Sequence, residues 1–222
     1  MRLVVVKLGG SLLLRPDLPG RLRQALSEMT DARILLVVGG GAAADVVRDW
    51  SVAHQLQEEP AHWLAINSLA LTRALIRSLM PQLCEVASLA DACHRWQESK
   101  TPLLLDIEAY LRHAEPQDAS PLPRTWDVTS DSIAAWVASR WSADELLLLK
   151  SIDLDHHLTA HQAELAGLVD NHFPRIVAEV PCITWCNLTS NVPAKALWLQ
   201  RGHPAPMRTS PDPQRSLADA TD

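Results

Sequence analysis

Three short stretches of the sequence combine residue types that can hold and transfer a phosphoryl group. The first is Lys7-Leu8-Gly9-Gly10-Ser11. Glycine lets the backbone approach an anion closely, and successive amide N–H groups can cradle phosphate oxygens. Lys7 adds a point charge beside them, although the order of glycines and lysine is not that of a Walker A loop. The second is Gly39-Gly40-Gly41, whose amides could hold an anionic ligand against a helix N-terminus. The third is Trp126-Asp127-Val128-Thr129-Ser130-Asp131. There Asp131 falls in the first turn of an expected helix, where the helix dipole stabilises a carboxylate. Each stretch also has a plain reading: a strand-to-helix turn for the first two, and a helix cap without function for Ser130 and Asp131. Two glycine anion loops in one chain favour a carboxylate that orients lysines and Mg2+.

These groups need a scaffold that brings distant loops together. Leu3 to Leu8 and Ile34 to Val38 are short apolar runs that stop at glycines, as buried strands of a parallel sheet do. Apolar stripes predict helices over 18–29 and 42–57, so strand, glycine turn and helix occur twice in succession, the rhythm of βαβ units. A long helix is expected over 62–80, closed by Pro81. Short strands are expected at 83–86 and 103–105 around a helical stretch at 88–97. Residues 114–125 hold three prolines and read as a loop. A helix starts at Thr129-Ser130-Asp131, and Leu146 to Leu149 is the most apolar strand of the second half. A helix over 170–178 and a strand over 182–186 follow. Asn191-Val192-Pro193 is expected to cap a final helix reaching Arg201. In an open parallel sheet ligands bind outside the carboxyl ends of the strands, and both glycine clusters fall at such ends.

Composition narrows the function classes. The chain has 222 residues, 47% hydrophobic and 21% charged, with a net charge of −6, which suits a globular α/β protein with a sizeable core. The negative balance and the absence of a Lys/Arg block argue against nucleic acid as the main partner. No signal peptide or membrane span is expected, and the reading is cytoplasmic. Cysteines 84, 93, 182 and 186 form no CxxC pair and read as ordinary buried thiols. Cys182 and Cys186 share a strand face beside Trp185. His156, His157 and His161 with Asp153 and Asp155 could be taken for a metal cluster, but a solvated loop is the reading adopted, and no metal ligand is assigned. Eight Trp against one Tyr and one Phe read as core packing first and ligand stacking second.

The order KxGGS, GGG, a late TSD before a helix, and an apolar strand ending in Asp153 resembles the amino acid kinase family over about residues 2–209. That resemblance implies a three-layer α/β/α sandwich on a mainly parallel sheet, with the acceptor mostly in the N-terminal half and the nucleotide in the C-terminal half. It implies one domain over 1–209, a flexible tail over 210–222, and a homo-oligomer. ATP and Mg2+ would be the cofactors and a small anionic molecule the partner. Lys7 would stabilise the transferring phosphoryl group, Gly9, Gly10 and Ser11 would contact ATP, and Gly39, Gly40 and Gly41 with Thr129 and Ser130 would hold the acceptor. Asp131 would organise the lysines. Leu149-Lys150-Ser151-Ile152-Asp153 is similar to the family's nucleotide stretch, with Lys150 where Thr is usual and Leu154 where Gly is usual. Asp153 is carried over as an ATP contact. The family's second catalytic lysine has no counterpart in 167–173, and Lys150 could supply that charge. The branch resembled most is the furan-methyl-phosphate kinases of methanofuran biosynthesis, with uridylate- or acetylglutamate-like kinases, or a non-catalytic binding protein, as alternatives. In that branch Trp63 or Trp126 would face an aromatic acceptor and an acidic residue its amine.

Overall fold

A computed structural model describes residues 1–201 of the chain; the expected tail lies outside the described residues. The elements in chain order are β1 (Arg2–Leu8), α1 (Leu18–Ser27), β2 (Ala32–Val38), α2 (Ala42–His54), α3 (Glu58–Leu79), β3 (Cys84–Val86), α4 (Leu89–Glu98), β4 (Leu103–Leu105), α5 (Ile107–Ala114), α6 (Ser130–Arg140), β5 (Glu145–Lys150), α7 (Ala160–Leu165), α8 (Phe173–Ile176), β6 (Cys182–Asn187) and β7 (Ala196–Gln200). The strands form a single sheet in the order β3-β4-β2-β1-β5-β6-β7. All neighbours are parallel except β6 and β7. This is the mainly parallel α/β sheet that the alternating apolar runs imply, in the sandwich that the resemblance implies.

Both faces of the sheet are covered, so the central strands read as continuous apolar runs. Side chains alternate between faces along a strand. Val4, Val6 and Leu8 of β1 pack with Leu18, Leu22 and Leu26 of α1 in one core layer. Val5 points to the other layer, with Ile133, Ala134 and Val137 of α6. Helix α6 is buried from Ser130 to Ala138, as expected of a helix apolar on all sides. β1 lies between β2 and β5, so the chain order reverses there. Such a switch point is where open α/β sheets take their ligands.

Several boundaries differ from the sequence reading. The expected final helix is the antiparallel edge strand β7. Its exposure alternates, Leu197 out and Trp198 in. The Trp198 ring stacks on Phe173 at 5.9 Å and meets Trp185 edge-on at 5.7 Å, so tertiary packing of one ring sets the period. α5 and α7 are helices to which the sequence reading assigns no element. Their starts are marked by side-chain caps, Asp106 accepting from the Ala109 amide and Thr159 in a reciprocal box with Gln162. Over 170–178 only the single turn α8 and a following 3-10 turn are helical, and Asp170 stands outside them. Of the four cysteines, all free, only Cys186 is buried; Cys84 is exposed and the other two are half-buried. Five of the eight tryptophans, at 96, 136, 141, 185 and 198, are core residues. No described helix is long and apolar enough to cross a membrane.

Candidate active site

Strand alternation decides which charged groups meet. Lys7 continues the series of Val5 in β1, and Lys150 continues the series of Leu146 and Leu148 in β5. Both therefore emerge on the face covered by α6. Lys7 is in register with Leu148, which puts Lys150 two residues further along the neighbouring strand. Asp131, in the first turn of α6, lies over both. Lys7 Nζ is 2.8 Å from Asp131 Oδ1, an ion pair without the alignment of a hydrogen bond. Lys150 Nζ donates to Asp131 Oδ2 at 2.8 Å and to the Leu168 carbonyl at 2.8 Å.

All three side chains are largely shielded from water, Lys7 and Asp131 almost completely. Burial pushes the Asp131 carboxyl upward, but Lys150 and Lys7 outweigh it and hold the group down at about 2. Burial is also the main influence on Lys150. It lowers the ammonium to about 8 against the pull of Asp131, with Lys7 adding to the depression. At neutral pH the cluster is thus one carboxylate between two cations. It keeps one net positive charge in a poorly hydrated place, where charge acts more strongly than in water.

A second carboxylate aims α6. The Thr129 amide and hydroxyl donate to Asp170 Oδ2 at 3.0 and 2.8 Å, and the Ser132 amide at 3.0 Å. The Ser132 hydroxyl donates to the other oxygen, as does the Phe173 amide at 3.1 Å. Asp170 therefore caps the helix from a distant loop, which frees Asp131 from that duty. The sequence reading had placed Asp170 at the start of a helix. No local pattern could reveal its role, because its partners lie about forty residues upstream.

The two glycine loops are built against each other. A Cβ on Gly10 would lie 2.1 Å from the Gly41 nitrogen. Gly41 adopts φ +52°, and a Cβ there would meet the Gly10 carbonyl oxygen at 2.6 Å. Only glycine fits either position. Gly9 N–H donates to the Leu149 carbonyl at 2.8 Å and Gly39 N–H to the Leu8 carbonyl at 2.9 Å, so those two amides extend the sheet. The close packing of the loops makes one floor out of the ends of β1 and β2.

Beside this floor is a cavity of about 200 Å³ lined by Gly10, Ser11, Gly40, Gly41, Thr129 and Ser130 and walled by α2, α3 and the segment before α6. Gly39 adjoins it, since a Cβ there would touch the Ser130 hydroxyl at 2.9 Å. Thr129 lines the cavity, but its amide and hydroxyl are both engaged by Asp170. Ser11 Oγ shares a hydrogen bond with Ser151 Oγ at 2.9 Å, joining the first glycine loop to the end of β5. Asp153 accepts from Asn187 Nδ2 at 2.9 Å, on the exposed loop beyond β5, and makes no contact with the lysine pair. Trp126 lines the cavity; Trp63 does not, and its ring lies near the guanidinium groups of Arg112 and Arg124. His156, His157 and His161 are exposed. Among the described residues no group of three His, Cys, Asp or Glu is placed to hold a metal ion.

Comparison with known proteins sets this geometry in context. The sequence profile of the amino acid kinase family matches residues 2–155. Among solved structures the chain is similar to uridylate kinase from Archaeoglobus fulgidus, with TM-score 0.57 and 15% identity over 82% of this chain and 89% of that one. It is similar to aspartate kinase from Synechocystis, with TM-score 0.60 and 14% identity over 91% of this chain but 41% of that one. UMP kinase from Ureaplasma parvum gives TM-score 0.55 and 13% identity over 83% and 88%. No curated protein matches the sequence.

Proposed function

The chain belongs to the amino acid kinase family, and from that premise we propose that it transfers the γ-phosphoryl group of ATP to a small anionic acceptor. The observation that carries this reading is the buried Lys7–Asp131–Lys150 cluster beside two interlocked glycine loops. Phosphoryl transfer passes through a loose transition state with charge spread over the equatorial oxygens, so catalysis is mostly positioning and charge stabilisation. Asp131 fixes two ammonium groups, and their excess positive charge would meet the transferring group. Gly10 and Ser11 would face the nucleotide phosphates, with Gly9 holding their loop to the end of β5 through its bond to the Leu149 carbonyl, and Gly40, Gly41 and Ser130 would face the acceptor. An acceptor oxygen that is already anionic needs no general base.

Mg2+ commonly binds through substrate phosphates and water with few protein ligands. It would neutralise charge on the phosphates of ATP, and the residues present are compatible with its arriving on the nucleotide. Asp131 is committed to the lysines.

For the acceptor we favour a monophosphate, specifically [5-(aminomethyl)furan-3-yl]methyl phosphate on the way to a methanofuran-type cofactor. The small cavity, with Trp126 in its wall, supports an acceptor with one ring. The buried Leu154, where a glycine turn is usual in the family, supports a second reading, nucleotide binding without turnover. Comparison of the furan phosphate, UMP, acetylglutamate and carbamate under saturating MgATP, reading ADP release, separates these. The furan phosphate is expected to give the highest kcat/KM. Acetylglutamate or carbamate in first place would defeat the phosphate-acceptor reading, UMP in first place would defeat only the furan assignment, and ATP binding with no acceptor-dependent turnover would leave the binding protein.

A pH profile tests the role of Lys150. kcat/KM for ATP is expected to fall as pH rises through about 8, because deprotonation removes one of the two cations. In Lys150→Arg that alkaline limb should disappear, since guanidinium stays charged. A limb that persisted unchanged in the variant would remove Lys150 from the transfer.

A further inference from the structure

One residue in the lining of the cavity beside the glycine floor carries a buried polar atom with no hydrogen-bond partner among the described residues. His62 of α3 is 2% exposed and lines the cavity. Its Nδ1 lies 3.4 Å from the Thr125 carbonyl oxygen. A carbonyl can only accept, so Nδ1 carries the hydrogen. Burial pushes the imidazole pKa down, which keeps the ring neutral. Nε2 is then a lone-pair acceptor, and it is buried without a partner among the described residues. The other charged groups at the cavity are already matched: Arg48 donates to Asp45 at 2.6 Å and lies over the Trp126 ring at 5.2 Å. A buried acceptor left unpaired is costly, and such atoms in folded proteins ask for a specific explanation.

The position of His62 suggests what would pair it. Leu69, seven residues further along α3, is the residue whose Cδ2 an added Cβ on Gly40 would meet at 3.2 Å. At the helical rise, seven residues separate His62 from the glycine floor by roughly 10 Å. The wall between them is apolar, formed by Ala65, Ile66, Leu69 and Ile133. We propose that His62 is the specificity-determining residue of the acceptor cavity, and that its Nε2 accepts a hydrogen bond from an N–H or O–H at the end of the acceptor remote from its phosphate. The ligand class is a small monophosphate with an apolar, ring-sized body and a terminal hydrogen-bond donor. This rests on the acceptor reading above for the orientation of the phosphate.

Matched pairs of phosphates test it. Calorimetric binding to the full chain is measured for the aminomethyl-furan phosphate and its methyl counterpart, and for 4-(aminomethyl)benzyl phosphate and 4-methylbenzyl phosphate. The wild type is expected to prefer the donor-bearing member of at least one pair by about 10- to 100-fold, the range for one buried hydrogen bond. His62→Leu should abolish the preference while leaving the methyl compounds bound as before. His62→Gln, whose amide oxygen can accept, should restore part of it. Equal binding of both members by the wild type, or an equal loss for both members in a folded His62→Leu, overturns the inference. Discrimination in binding with no ADP formation for any phosphate upholds the inference and overturns the kinase reading instead, so the two fail separately.

Discussion

Replacement of Lys7 by alanine is expected to lower kcat by roughly 10²–10³-fold, the scale for losing one well-placed cation or donor that acts on transition-state charge. The fold should survive. Asp131 keeps Lys150 as a partner at 2.8 Å, and the main contacts of β1 are backbone pairing with β2 and β5. The loss should appear in single-turnover rates at saturating ATP and acceptor, with the melting transition still cooperative. Lys7→Arg is expected to recover little, because a planar fork does not fit the space of a buried ammonium 5% exposed. Near-normal turnover in Lys7→Ala would take Lys7 out of the mechanism.

Asp131→Asn is expected to impair both turnover and stability. Were Asp131 a helix cap, asparagine would replace it almost neutrally, since both residues cap well. The capping carboxylate is instead Asp170. Asp131 is the only carboxylate in contact with Lys7 and Lys150 among the described residues. The amide would leave two buried ammonium groups uncompensated, and breaking a buried pair in this way costs about 3–5 kcal/mol. Lys150 can relieve part of that by releasing its proton. We expect kcat to fall at least about 10²-fold and urea midpoints to drop. The sign of the pH dependence identifies the cause. A lysine depressed in the folded state weakens the fold while it is charged, and stability rises with pH where the unfolded chain binds more protons. The deficit against the wild type should therefore narrow as pH rises from neutrality toward about 8, where the wild-type Lys150 itself titrates. A variant with unchanged activity would return Asp131 to a structural role.

What was legible in the sequence is what local chemistry dictates. β1 and β2 are marked by apolar runs that end in glycines, and the glycines are irreplaceable because Gly10 and Gly41 touch. Helix α6 is marked by its Thr-Ser-Asp start. The order of these motifs points to the family, and the profile match over 2–155 agrees with it. Strand periodicity even contains the lysine pair: Lys7 is two residues from Val5, and Lys150 two from Leu148, each on the face that its neighbour buries.

Only the tertiary structure decided the rest, because it depends on contacts between residues far apart in the chain. Which strands are neighbours determines that Lys7 and Lys150 meet on one carboxylate. A loop about forty residues downstream supplies the cap that leaves Asp131 free for them. The ring of Trp198, packed on Phe173 and Trp185, makes a strand of a segment whose proline suggested a helix start. In the sequence His62 is only the first residue of an expected helix; its tautomer is set by the Thr125 carbonyl folded against it, which leaves Nε2 unpaired among the described residues. Local sequence carries propensity and periodicity, whereas the desolvation and charge pairing that tune these groups arise only when distant segments close over them.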